Sequence, residues 1–176
     1  MRRSFLVVAA LMLLSVVVPG FARADASIGY CVQVMETGQA TCFDTEHELT
    51  AFQEEAALQP LVTMFRDANY VGAGGYRNYV SAYGRDACDS SKSTREASSG
   101  NLELQRFNTG QIMNDQISSF VIRSRTFCEV SIYENAGFQS AIVGRTTQSC
   151  PHLDRCIYSG IFAVSFNDVV SSFGVS

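Results

Sequence analysis

From Phe5 to Val18 the chain is apolar apart from Ser15. Arg2 and Arg3 precede this run and Pro19-Gly20 ends it. Ala22-Arg23-Ala24 then places small residues at the two positions that matter before a cut. This is the three-part layout of a secretory signal peptide. The run of about 14 apolar residues is shorter than the roughly 20 that a membrane-spanning helix needs. Residues 1–24 are therefore expected to be a signal peptide, cut after Ala24, or after Ala26 through a second small-x-small triplet. The alternative is an uncleaved N-terminal anchor. No later stretch is apolar enough to span a membrane, so the mature protein is expected to be secreted and extracellular.

Residues 25–62 predict a small hairpin followed by a helix. Val32 and Val34, with β-formers on both sides of Thr37-Gly38, read as two short strands around a turn. Cys31 and Cys42 would staple them. Thr45-Glu46-His47-Glu48 is a capping box: the Thr hydroxyl accepts from a first-turn amide and Glu48 reaches back to the cap. Leu49, Phe52 and Ala56 then share one face, which predicts a helix over about 46–57, ahead of Pro60. His47 reads as a solvated residue at the helix start rather than a metal ligand. The segment is expected to be either a pro-region or a second small module.

Residues 63–176 switch to a period of two. Short alternating runs at Leu61–Phe65, Tyr76–Tyr83, Leu102–Phe107, Phe120–Ile122, Cys128–Tyr133, Ala141–Gly144 and Ile161–Phe166 are separated by turn residues, which predicts a sandwich or barrel. Residues 84–101 break the pattern with Ser, Asp and Gly and are expected to form a polar loop.

This β half repeats itself. Asn114-Asp115-Gln116-Ile117-Ser118-Ser119-Phe120 recurs as Asn167-Asp168-Val169-Val170-Ser171-Ser172-Phe173. Upstream of the first copy, Phe65-Arg66-Asp67-Ala68-Asn69-Tyr70-Val71-Gly72 reads aromatic, four residues, aromatic, one residue, Gly. Upstream of the second, Tyr133-Glu134-Asn135-Ala136-Gly137-Phe138-Gln139-Ser140 keeps that frame but ends in Ser. In these two paired elements the chain resembles the βγ-crystallin family. Its all-β domains join two Greek-key motifs, each with such a hairpin and a calcium-binding (N/D)-(N/D)-x-x-(S/T)-S stretch. The resemblance covers residues 63–176, with motif one at 63–124 and motif two at 125–176. It extends to small secreted bacterial metalloproteinase inhibitors and killer-toxin-like proteins.

The resemblance implies a two-motif Greek-key sandwich with two calcium sites shared between the motifs. Asp115 and Asp168 would donate side-chain oxygens, Gln116 and Val169 backbone carbonyls, and Ser118 and Ser171 hydroxyls, each serving the site completed by the other motif. Arg66 and Glu134 would contribute carbonyls from the hairpins. Asn114, Asn167, Ser119 and Ser172 would shape the loops. The donor chemistry suits the ion on its own terms: calcium takes six to eight oxygens from carboxylates, carbonyls, hydroxyls and water. Asn and Asp also tolerate the left-handed turn that such a loop needs. With few full charges per site, the expected affinity is on the order of 10⁻⁶–10⁻⁴ M. Two departures bear on the sites. Ser140 replaces the hairpin Gly, and a non-Gly residue is disfavoured at positive φ, so that hairpin is expected to be distorted and one site weakened. Arg66 puts a cation at a position often held by an acid.

Composition and charge refine the compartment. Losing Arg2, Arg3 and Arg23 takes the bases from 13 to 10 against 17 acids, moving the net charge from −4 to −7. No clustered basic face is present for nucleic acid. In an exported chain, six Cys read as disulfides. Fifteen pairings exist; the favoured set is Cys31–Cys42, Cys88–Cys128 and Cys150–Cys156. A metal site from Cys150, His152, Asp154 and Cys156 is the less favoured alternative.

The sequence contains no Gly-x-Ser-x-Gly elbow, His-Glu-x-x-His or phosphate loop, so an enzyme is not expected. The expected function is extracellular calcium binding that stabilises or assembles the domain. The alternative is a secreted proteinase inhibitor or killer-toxin-like protein, directed at an extracellular protease or cell-surface target through the 84–101 loop.

Overall fold

The computed structural model describes residues 29–82, 88, 97–123, 128–139, 143–156 and 167–176. The expected signal peptide, most of the 84–101 segment, Ser140 and the strand expected at Ile161–Phe166 lie outside the described residues.

The hairpin forms where the β-branched alternation places it, as β1 (Tyr30–Val34) and β2 (Ala40–Phe43). Its turn uses Gly38 at φ 69°, a left-handed conformation that costs a glycine little. Cys31 and Cys42 face each other across the ladder and are bonded.

Helix α1 (Glu46–Glu55) starts on the capping box. Thr45 Oγ1 accepts from Glu48 N at 3.2 Å, and Glu48 Oε2 accepts from Thr45 N at 3.1 Å. It ends two residues earlier than its pattern predicts. Ala57 takes φ 52°, its N–H reaches Glu54 O and the Leu58 N–H reaches Gln53 O. This is a helix-ending Schellman motif with alanine where glycine is usual.

The remaining strands are β3 (Gln59–Phe65), β4 (Tyr76–Ser81), β5 (Ala97–Ser99), β6 (Ser119–Ile122), β7 (Val130–Tyr133), β8 (Val143–Thr146) and β9 (Ser172–Val175). They form two sheets, ordered β2-β1-β4-β3-β6 and β5-β9-β7-β8. Every pair is antiparallel except β1–β4, where the N-terminal hairpin joins the first sheet in parallel. The N-terminal segment is thus continuous with the sandwich through backbone hydrogen bonds.

The halves are interlocked. β5 comes from the first half but pairs with β9 in the second sheet. Conversely, Cys150 of the second half bridges Phe120 of β6 in the first. This is the two-motif Greek-key sandwich implied by the resemblance to βγ-crystallins.

Two strand predictions are corrected. Leu102–Phe107 is not a strand. Asn101 Oδ1 accepts from Glu103 N, and Leu102–Leu104 forms a short 3₁₀ turn with Leu102 buried and Leu104 exposed. Conversely, Ala97–Ser99, read as part of the polar loop, is strand β5. Its pairing with β9 is made by backbone, and Ser99 is buried.

The core lies between the sheets. Met64, Tyr79, Phe107, Ile117, Phe120 and Phe173 are fully enclosed, with Tyr79 edge-on to Phe173 at 4.7 Å between centroids. A second apolar cluster, with Val32, Leu49, Leu58 and Val80, packs α1 onto the outer face of the first sheet. Cys88–Cys128 and Cys150–Cys156 are also bonded, so all six Cys pair in the favoured set.

Candidate metal centre

The two repeated loops meet as near mirror images of one another in their bonding. Asp115 and Asp168 both sit in the left-handed region, at φ 53° and 56°, a conformation that short polar side chains accept more readily than others. Each backbone amide bonds to the opposite loop, Asp115 N to Val170 O at 3.2 Å and Asp168 N to Ile117 O at 3.3 Å. Each carboxylate is braced by the preceding residue. Asn114 Nδ2 donates to Asp115 Oδ2 at 2.7 Å, and Asn167 Nδ2 donates to Asp168 Oδ2 at 2.6 Å.

The other carboxylate oxygen in each loop faces a serine from the opposite motif. Ser171 Oγ donates to Asp115 Oδ1 and Ser118 Oγ donates to Asp168 Oδ1, both at 3.2 Å. The sequence places Asp115 and Ser171 some fifty-six positions apart, and Ser118 and Asp168 fifty. Only the interlocked fold joins them.

The second serine of each stretch supports the hairpin instead. Ser119 Oγ accepts from Tyr70 N at 3.2 Å and donates to Asp67 O at 2.6 Å. Ser172 Oγ makes the matching pair with Phe138 N at 3.1 Å and Asn135 O at 2.7 Å. These clamps hold Tyr70 and Phe138 at φ 61°, an uncommon state for large residues. The hairpin strain therefore falls on Tyr70 and Phe138 rather than on the frame glycine. Gly72 is absent from the positive-φ residues, and a Cβ there would make only ordinary 3.6 Å contact with Tyr76. The expectation that Ser140 distorts its hairpin loses its premise, because the equivalent Gly72 does not need glycine's freedom.

Asp115, Glu134, Asp168, Val169 and Ser171 line one surface concavity of about 420 Å³. Gln116, Ser118 and Arg66 do not line it. Ser118 is tied to it through Asp168, and its N–H bonds to Phe65 O, next to Arg66. The Arg66 side chain turns to Gln111 Oε1 at 2.6 Å.

Glu103 also lines the concavity and was not singled out from sequence. Leu102 N bonds to Ser171 O at 3.0 Å, which carries the Glu103 turn to the loop. The signal that could have found it is the paired arrangement: Leu153 N makes the same bond to Ser118 O at 2.9 Å, followed by Asp154. An acid thus follows a buried leucine in both motifs.

The residues fit a hard cation. Asn114 Oδ1 is buried and has no hydrogen-bond partner among the described residues, an acceptor left over beside the Asp115 carboxylate. Among the described residues no group of three or more His, Cys, Asp or Glu is gathered to hold a metal. The donor set is instead one carboxylate and one hydroxyl on each side, all oxygen, which suits calcium better than a soft metal.

Among the described residues no helix is long and apolar enough to cross a membrane. No protein-family model matches the chain. No curated protein matches it either. Similar solved structures include a βγ-crystallin domain from Flavobacterium johnsoniae, 23% identical over 66% of this chain and 93% of that one, with a TM-score of 0.38. A βγ-crystallin domain from Clostridium beijerinckii is 23% identical over 65% and 95%, with a TM-score of 0.36. The N-terminal domain of Protein S is 16% identical over 66% and 94%, with a TM-score of 0.42. Scores this low carry no weight of their own beside the loop geometry.

Proposed function

We propose that the chain is a secreted calcium-binding protein of βγ-crystallin type, in which two ions clamp the two Greek-key motifs together. The observation that carries this reading is the reciprocal pairing of Asp115 with Ser171 and Asp168 with Ser118. Each pair presents a carboxylate and a hydroxyl oxygen from different motifs, so an ion held there is bonded to both.

When bound, calcium supplies positive charge that neutralises the carboxylate and draws the neighbouring oxygens together. The protein's part is placement. The left-handed turn aims each Asp, the Asn amide fixes its orientation, and the Ser119 and Ser172 clamps hold the hairpins carrying Arg66 and Glu134. Secretion is supported by the three disulfides, which persist in oxidising compartments.

Calorimetric titration of the oxidised mature protein with calcium tests the proposal. Two sites with dissociation constants on the order of 10⁻⁶–10⁻⁴ M are expected, and heat should vanish in the Asp115→Ala, Asp168→Ala double variant. A folded wild type that gives no calcium heat would refute it.

A further inference from the structure

On the outer face of the first sheet, α1 covers the β1 side of a surface that runs on across β4 to β3 and β6. Between them lies a solvent-open cleft of about 470 Å³, within the range of small-molecule sites. It shares no lining residue with the Asp115 concavity.

Its floor is polar, although the same face carries Val32 and Val80 closer to the helix. Arg123 Nε donates to Thr63 Oγ1 at 3.2 Å, and Thr63 Oγ1 donates to Asn78 Oδ1 at 2.8 Å. The chain of bonds runs from the residue just after β6 across β3 to β4, and Thr63 is only 2% exposed. It leaves the Asn78 amide N–H groups with no partner among the described residues.

The walls are aromatic. Phe65 stands between Tyr70 and Tyr76, at 5.9 and 6.2 Å between centroids. Tyr30 and Glu46 close the side toward the N-terminal segment. Burial, and then Tyr30 and Glu46, raise the Tyr76 phenol above its ordinary value, so it remains a neutral donor. The three tyrosine hydroxyls also lack partners among the described residues.

We propose that this cleft binds a neutral pyranose saccharide of one or two units. Flat aromatic walls suit the C–H faces of a sugar ring, as they suit any flat apolar surface. The unpartnered Asn78 amide and tyrosine hydroxyls match its hydroxyl groups. The lining carries one base, Arg123, and one acid, Glu46, so its charges sum to zero and favour a neutral ligand. A wholly apolar ligand would strand the Asn78 donor away from water, a cost that a hydroxylated one avoids.

The test is an amide-resolved NMR titration of the folded, oxidised mature protein, with maltose, cellobiose, lactose and N,N′-diacetylchitobiose as probes. At least one should shift the Thr63, Asn78 and Val121 amides, with a dissociation constant of about 1 mM or tighter. Asn78→Ala should weaken it by about tenfold, the loss of one well-made hydrogen bond in a desolvated site. Calcium titration of the same variant should be unchanged. If Asn78→Ala does not fold, Tyr30→Ala at the cleft edge serves in its place, with the same expected direction. No shift with any probe at about 10 mM, shifts confined to other surfaces, or full affinity in the folded variant would each overturn the proposal.

Discussion

Replacing Asp115 by alanine separates the loop's backbone demand from its proposed ion. Asp115 is at φ 53°, where a Cβ without a local polar partner costs about 1–2 kcal/mol. The substitution also removes the acceptor for Asn114 Nδ2 and Ser171 Oγ. The calcium-free variant should therefore melt below the wild type. Comparing each protein with and without calcium cancels that cost and isolates the ion. At calcium about 100 times its dissociation constant, one independent site contributes about 2.7 kcal/mol. For a domain of about 150 residues this is a rise of roughly 5–11 °C per site. Scanning calorimetry in excess calcium and in chelator measures it. The wild type should show the increment of two sites and Asp115→Ala that of at most one, with Asp168 and Ser118 left intact. An undiminished wild-type increment in Asp115→Ala would refute the assignment, whatever its calcium-free melting point.

Ser119→Ala or Ser172→Ala should each cost about 1–3 kcal/mol in urea unfolding, because each fully buried hydroxyl serves two backbone groups of a strained hairpin; a loss within error would show that the clamps are dispensable. Ala57→Gly should stabilise the protein by up to about 1 kcal/mol in the same assay, since it relieves the φ 52° alanine at the end of α1, and a destabilised variant would contradict the helix-end geometry. Among the disulfides, removal of Cys88–Cys128, with a separation of 40, should cost about 4 kcal/mol, against about 2.2 kcal/mol for Cys150–Cys156, with a separation of 6; a reversed order would argue against the chain-entropy account. Burial raises the Tyr79 phenol well above its ordinary 10.0, so it stays protonated in the fold while the unfolded chain ionises. Stability should be unaffected below about pH 9 and fall above about pH 10, by up to roughly 1.4 kcal/mol per pH unit from this group. A Tyr79→Phe variant with an equally steep alkaline fall would place the cause elsewhere.

How much of this was legible in the sequence depends on whether the signal lay in side chains or in backbone. The hairpin, the capping box and the paired loops announce themselves through β-branched residues, a Thr–Glu pair and repeated Asn-Asp and Ser-Ser, and all are found in place. Three features were misread because the backbone makes them. β5 is Ala-Ser-Ser, and its pairing with β9 needs no apolar alternation. The Leu102 turn buries one leucine and exposes the next, which in sequence looks like a strand. Helix α1 stops on an alanine in a glycine conformation. Glu103 was missed for a related reason: a bond from Leu102 N to Ser171 O, sixty-nine positions along the chain, brings it to the loop.

The interlocking also explains why the two loops are better considered as one unit than as two copies. Ser119 and Phe120 begin β6, and Ser172 and Phe173 begin β9, so each loop leads directly into a strand of a different sheet. Because Asp115 N bonds to Val170 O and Asp168 N to Ile117 O, neither loop can shift without pulling on the other sheet. An ion shared by Asp115 and Ser171 would strengthen the same connection that Ile117, Val170 and Phe173 already make through burial. Its effect should therefore appear in the cooperative unfolding of the whole sandwich. Local loop ordering alone would leave the cost of separating the sheets unchanged. The environments of the two loops still differ. Glu103 and Asp154 hold matching positions, but Ser171 N bonds to Tyr133 O, next to Glu134, whereas Ser118 N bonds to Phe65 O, next to Arg66. If Coulomb attraction decides between otherwise similar oxygen sets, the Asp115 side fills first. The sandwich then gains its first calcium-dependent stabilisation from that side alone.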